Sequence, residues 1–136
     1  MRAPKPAIVV PLGLFATILF ASVAHAGTMD EIKRGESMFA SRCALCHDDS
    51  PHMLNDVGPA LFGVVNRKVG SVPGYRYSPV LKAAGQRGDS WTIGRLDRLL
   101  TEPTRAYYGT SMPAAIDDPK GRKAMLAYLK TLHPGE

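Results

Sequence analysis

The sequence predicts an all-α domain. Apolar residues recur at helical spacing in four stretches, these stretches carry start or stop signals, and the segments between them are rich in Gly and Pro. Thr28-Met29-Asp30-Glu31 has the form of a capping box, with Thr28 at the helix end and Glu31 reaching back to it. The helix it opens carries Ile32, Gly35 and Phe39 on one face and runs into Cys43. A second, short helix is predicted to start at Ser78, with Pro79 in its first turn, and to stop at Gly85. Thr92 is placed to cap a third, whose Ile93, Leu96, Leu99 and Leu100 share a face until Pro103 ends it. Asp118-Pro119 opens the last, with Met125, Leu126, Leu129 and Leu132 as its buried stripe and His133-Pro134-Gly135 as its close.

The chain of 136 residues fits one domain. Residues 1–26 read as a secretion signal peptide. Arg2 and Lys5 supply a basic start, Ile8 to Ala21 is apolar, and Ala24-His25-Ala26 offers small residues around a cleavage point before Gly27. The other reading is a retained anchor, since Ala7 to Ala24 is 18 residues without a formal charge, the lower edge of spanning length. Pro11, Gly13 and the Ala-x-Ala ending favour cleavage, which leaves residues 27–136 as a single domain in the periplasm.

That domain has 15 basic and 12 acidic residues, a net of +3. The excess is too mild for a nucleic-acid footprint, and basic residues alternate with Asp and Glu as on a solvated surface. One Trp, four Phe and five Tyr in the chain make a modest core, so something beyond side chains is expected at its centre. The turn-rich run from His47 to Ser78 is too long for a free loop and makes sense wrapped around a large flat ligand. Tyr107 to Pro113 has the same character.

Cys43-Ala44-Leu45-Cys46-His47 is C-x-x-C-H and contains the only two cysteines. On a turn of helix, two thiols at this spacing reach the vinyl groups on one edge of a porphyrin, and the following imidazole points at the iron. A thiol–disulfide enzyme would need a strand before Cys43, and nothing strand-like is there. Zinc would need four ligands, which His52 or His133 would have to complete. A disulfide closing so short a loop would add little. The motif favours haem, one per chain.

A haem iron held by one His is either open on its far side or closed by a second side chain, commonly Met in c-type proteins. Met29, Met38, Met53, Met112, Met125, His52 and His133 are the candidates. Met38 and Met125 fall on or beside helical apolar stripes and read as core. His52 and Met53 follow His47 too closely to pass round the ring, and Met29 opens the first helix. Met112 lies 65 residues beyond His47, in an irregular segment that can present a thioether. The expected metal ligands are therefore His47 and Met112.

From about Met29 to Leu132 the sequence resembles the small class I cytochromes c, the family of mitochondrial cytochrome c and bacterial cytochrome c2. The resemblance rests on Gly35 and Phe39, the C-x-x-C-H run, Gly58-Pro59, Leu61-Phe62-Gly63, Asn66-Arg67-Lys68, Pro73-Gly74-Tyr75, Tyr77, Trp91, Gly109-Thr110-Ser111-Met112-Pro113 and Ala127-Tyr128-Leu129. It implies a class I cytochrome c fold, helices and loops wrapped around one haem attached through Cys43 and Cys46. It also implies that Gly35 lets the first and last helices cross closely. By the same resemblance, the Pro59 carbonyl accepts the Nδ1–H of His47. Tyr77 and Trp91 would hydrogen-bond a haem propionate, Arg67 would place a cation near it, and Thr110 would add a hydroxyl. Without the resemblance, Pro59 reads as a rigid turn, Trp91 as core and Arg67 as surface.

The sequence departs from the family at Leu99, where a tyrosine is usual near the methionine sulfur, at Leu81 for an asparagine, and at Ala114 for an aromatic residue. Of the cations that ring the haem edge in mitochondrial relatives, Arg42, Lys68 and Arg105 remain, whereas Ser37, Asp56, Thr104, Ser111, Asp117 and Asp118 replace others. The expected partners are redox proteins in transient complexes, less acidic than the mitochondrial ones, with the chain a monomer. Membrane contact is expected only through membrane-bound partners or an uncleaved signal. The expected role is a periplasmic one-electron carrier rather than an enzyme. Its rivals are a haem enzyme or gas sensor with an open sixth position, and a haem subunit or membrane-anchored relay.

Overall fold

The computed structural model describes residues 18–133, with side chains from Thr28 onward. The predicted signal peptide lies outside the described residues for 1–17 and for the side chains of the rest. Five helices follow: α1 (Ile18–Arg42), α2 (Pro79–Gln86), α3 (Ile93–Thr101), α4 (Pro103–Ala106) and α5 (Pro119–Leu129).

The first helix does not open at Thr28, as the capping box predicts. It runs in from Ile18, through a stretch free of Pro in which Gly27 is the lone breaker. One Gly disfavours a helix by only ~1 kcal/mol, too little to end it. A capping box needs a non-helical cap residue, so Glu31 is released for another partner and lies 3.0 Å from the Lys123 ammonium of α5.

The α1–α5 crossing is the main helix contact. Phe39 is buried and its ring meets that of Tyr128 at 5.6 Å, tilted by 53°. Two glycines make the approach possible. A Cβ on Gly35 would collide with the Ala124 carbonyl and with Tyr128, and on α5 the Met38 methyl lies 2.9 Å from where a Gly121 Cβ would sit. Since the obstacle at Gly35 is backbone, Gly35→Ala should lower unfolding stability by about 1–3 kcal/mol or more, through overpacking. Thermal unfolding checks this. Gly94→Ala is the control: it has open space around it on α3 and should be neutral or stabilising by less than ~1 kcal/mol.

The remaining helices follow their start signals. Thr92 Oγ1 accepts from the Arg95 N–H at 3.3 Å, and the Asp118 carboxylate accepts from the Lys120 and Gly121 N–H groups at 3.1 and 2.9 Å. Ser78 precedes α2 but its side chain makes no capping bond. The end of α2 is a small correction: Gly85 does not stop it. Gly85 is buried because its α-carbon approaches the Val69 carbonyl, and the chain turns away only at Gly88, with φ +87°. Pro103 ends α3 as predicted and also begins the single turn of α4, which the sequence reading does not include.

Leu96, Leu99, Leu100, Met125, Leu126, Leu129 and Leu132 are all buried and join Phe39, Val64, Val69 and Trp91 in one core. The segment 48–77 is fastened to that frame by single bonds rather than by sheet. The Leu61 N–H donates to the Asp48 carbonyl at 2.7 Å, and the Asn55 amide spans from the Pro73 carbonyl at 2.8 Å to the Ala60 N–H at 3.2 Å. An isolated antiparallel bridge joins Lys68 to Ser90.

Candidate haem site

The C-x-x-C-H run continues α1 as a helical turn. Cys43 N–H donates to the Phe39 carbonyl at 2.8 Å, and the Cys46 and His47 N–H groups donate to the Cys43 carbonyl at 3.0 and 2.9 Å. Residues three and four apart on such a turn share a side. Both thiols are free and half-buried. Burial pushes the Cys43 thiol above its usual range, with Arg42 pulling the other way.

His47 is fixed from two directions. Its Nδ1–H donates to the Pro59 carbonyl at 2.7 Å, and Gly58 lies so close that a Cβ there would strike the imidazole. Gly58 is itself tied down by its N–H, which donates to the Cys46 carbonyl at 2.7 Å. Burial lowers the His47 pKa, and the Pro59 bond offsets only part of this, so the ring is held neutral. With the proton on Nδ1, the lone pair is left on Nε2, which is the donor a metal needs.

Of the residues matched to a propionate, Trp91 and Tyr77 meet Arg67. Its guanidinium donates to the Phe62 carbonyl at 2.9 Å and the Ala60 carbonyl at 2.7 Å, while Nε is buried without a partner. Burial lowers its pKa and, among the described residues, no carboxylate pairs with it. Trp91 is buried, its backbone N–H donates to the Arg67 carbonyl at 2.8 Å, and its ring meets Tyr107 edge-on at 5.5 Å. The Tyr77 hydroxyl accepts from the Val72 N–H at 3.3 Å, so its own proton is left to donate. Burial raises the Tyr77 pKa and the Arg67 charge lowers it, which puts the two groups within electrostatic reach. Ser78, read from sequence as a cap, instead has a buried hydroxyl without a partner. An orphaned cation edge and an orphaned hydroxyl are costly unless an anion completes them, and a haem carboxylate has the right chemistry.

Met112 is half-buried against the core, in the irregular segment between α4 and α5. Its N–H donates to Thr110 Oγ1 at 3.4 Å, and the Ile116 N–H donates to the Leu100 carbonyl at 2.7 Å to pin the far end of the segment. The other methionines are engaged or placed elsewhere. Met125 is buried inside α5, Met38 lies against Gly121, Met29 is 52% exposed and Met53 sits at φ +55°. Among the described residues no group of three or more His, Cys, Asp or Glu could hold a metal ion, so a zinc site on the cysteines is not assembled. Leu99 is buried, Leu81 half-buried and Ala114 exposed, and none of them adds a polar group near Met112.

Gly58, Ser78 and Asp48 were not singled out for this site by the sequence reading. Asp48 accepts from the Ser50 N–H and hydroxyl and from the Leu54 N–H, at 2.8 to 3.1 Å, and these bonds hold its carboxyl below the usual range. An acidic residue directly after the motif is the only signal that could have found it.

A helical domain built on a C-x-x-C-H turn, with a fixed imidazole and an unanswered cationic pocket, is a haem protein of the c type. No protein-family model matches the chain. It is 35% identical over 115 residues to cytochrome c2 iso-2 of Rhodospirillum centenum, covering 74% of this chain and 94% of that protein. It is 40% identical over 103 residues to cytochrome c of Euglena viridis, covering 75% of this chain and 97% of that one. The solved structure of cytochrome c2 from Rhodospirillum centenum superposes with a TM-score of 0.69 at 34% identity, covering 75% of this chain and 98% of that chain. The chain belongs to the class I c-type cytochromes. Its cofactor is haem c, one per chain, covalently attached through Cys43 and Cys46.

Proposed function

We propose that this cytochrome is a soluble one-electron carrier between redox proteins in the periplasm, in which His47 and Met112 would hold the haem iron and residues 1–26 are removed on export. Bound haem supplies the one-electron ferrous–ferric couple. The observation that carries the reading is the neutral, doubly fixed His47. A ring that cannot swing keeps the same donor atom in place in both oxidation states. The Pro59 bond strengthens that donor and therefore favours the ferric state. Met112 offers a soft, neutral sulfur that favours the ferrous state, and the Thr110 bond to its backbone limits how far it can drift. Arg67, Tyr77, Trp91 and Thr110 are proposed to hold the propionate edge, with Ser78 beside them. Among the described residues no helix is long and apolar enough to cross a membrane.

The test is the purified holoprotein at neutral pH. It should take up and release one electron reversibly, keep its haem through acid–acetone extraction, and bind carbon monoxide poorly. Ready binding of carbon monoxide would replace this reading with an open-site enzyme or sensor. Recovery in the membrane fraction would favour an anchored relay.

A further inference from the structure

The expectation of a less acidic partner counts only the haem-edge positions, among which Lys68 is one of three retained cations. Charge taken along the chain is far from even. Residues 66–105 hold eight basic and three acidic residues, a net of +5, while residues 27–65 hold three basic and six acidic, a net of −3. The structure gathers much of that positive segment on one face. The Lys68–Ser90 bridge sets Lys68 beside the turn that carries Asp89, and the Lys68 stem lies over Gly85 of α2. Arg87 and Arg95 both reach Asp89, at 3.3 and 2.8 Å, one on each carboxylate oxygen. Arg98 follows Arg95 by three residues on α3, is exposed, and has no carboxylate partner among the described residues. Burial pushes the Tyr107 hydroxyl up, and the charges of Arg95, Asp89, Arg98 and Arg87 also act on it.

We propose that the face formed by Lys68, Arg87, Arg95, Arg98 and Tyr107 is a docking surface for an acidic protein. Four cations around one carboxylate leave an excess of +3 there, equal to the net charge of residues 27–136. The occupant is a protein rather than a lipid surface. Arg87 and Arg95 are braced on Asp89, and fixed guanidinium forks suit carboxylates presented at set positions. An interfacial membrane site would add an exposed apolar anchor. Of the large exposed apolar side chains, Met29, Leu45, Leu54 and Val57 belong to other segments, and only Tyr108 is adjacent. Braced charges with little apolar area suit a fast, transient encounter. The face lies over Trp91, on which Tyr107 rests edge-on. The inference draws on the carrier reading only in taking the partner to be a redox protein.

The test uses isotope-labelled reduced holoprotein, with poly-L-glutamate as probe at low salt and backbone amide shifts as readout. The expected shifts centre on Lys68, Asp89, Arg95 and Arg98 and disappear at high salt, where screening is complete within a few ångströms. The double variant Arg87→Gln/Arg98→Gln should bind about tenfold more weakly, from two exposed pairs lost. Arg42→Gln/Arg105→Gln should bind as the wild type does. Shifts centred on Arg42 and Arg105, or an unchanged affinity in the first double variant, would overturn the proposal. So would capture by phosphatidylglycerol vesicles without binding of polyglutamate. None of these readouts involves electron transfer, so failure of the carrier reading would be seen separately, in the redox titration.

Discussion

Gly58→Ala should raise the reduction potential and lower the stability of the holoprotein, although only one methyl group is added. The site has no room for it. A Cβ at position 58 would meet three ring atoms of His47, and the ring cannot retreat without stretching its 2.7 Å bond to the Pro59 carbonyl. Nor can residue 58 retreat freely, because its N–H is held at 2.7 Å by the Cys46 carbonyl, inside the motif itself. The variant must give up one of these bonds. Loss of the Pro59 bond removes the partner that makes the imidazole a stronger donor, so the ferric state loses more than the ferrous state and the potential rises. Overpacking adds a stability loss of about 1–3 kcal/mol. Potentiometric titration and thermal unfolding, with Gly94→Ala as control, measure both. An unchanged potential and unfolding temperature would mean that the imidazole is not seated against Gly58.

The helices were legible because their signals are local. Thr92, Asp118 and the leucines of α3 and α5 act within a few residues, and the structure places them as their spacing requires. The capping box at Thr28 goes unused in the full-length chain for a physical reason: a cap is defined by the backbone that enters it, and the incoming helix of α1, which removal of residues 1–26 would take away, satisfies those N–H groups first. Gly85 misleads similarly, since a glycine near a helix end is read as a stop when its purpose is an approach to the Val69 carbonyl, 16 residues away. The haem motif was legible because covalent attachment demands a fixed spacing. The roles of Arg67 and Trp91 were not, because a guanidinium or an indole in sequence says nothing about burial. Only the family resemblance singled them out. Gly58 and Ser78 escaped as site residues for the same reason: what marks them is the ring of His47 against Gly58 and the burial of the Ser78 hydroxyl, and both come from how distant parts of the chain pack.

Met112→Ala should convert the carrier into a protein that binds external ligands. In the class I fold adopted here, the second axial position is closed by a side chain or left open, and Met112 is the methionine whose surroundings leave its sulfur uncommitted. Met125 is almost fully enclosed by the core, Met38 fills the space opposite Gly121, and Met29 is exposed midway along α1. Among the described methionines, Met112 alone combines an irregular backbone with packing against the core, and it is held by Thr110 on one side and by the Ile116–Leu100 bond on the other. Those two bonds should keep the segment in place when the side chain is cut back, so the variant should fold with an open or water-filled position. Carbon monoxide should then bind quickly to the reduced variant, and peroxidase dyes should be oxidised, both of which the wild type should do poorly. Met112→His should instead keep the position closed and lower the potential, because imidazole donates better than thioether to ferric iron. Met38→Leu and Met125→Leu should leave spectrum and potential alone and alter stability by less than about 1.5 kcal/mol, as near-isosteric core changes. If Met112→Ala keeps the wild-type spectrum, potential and indifference to carbon monoxide, the thioether is a packing group. A different side chain must then close the iron, and the electron-carrier reading loses its second ligand.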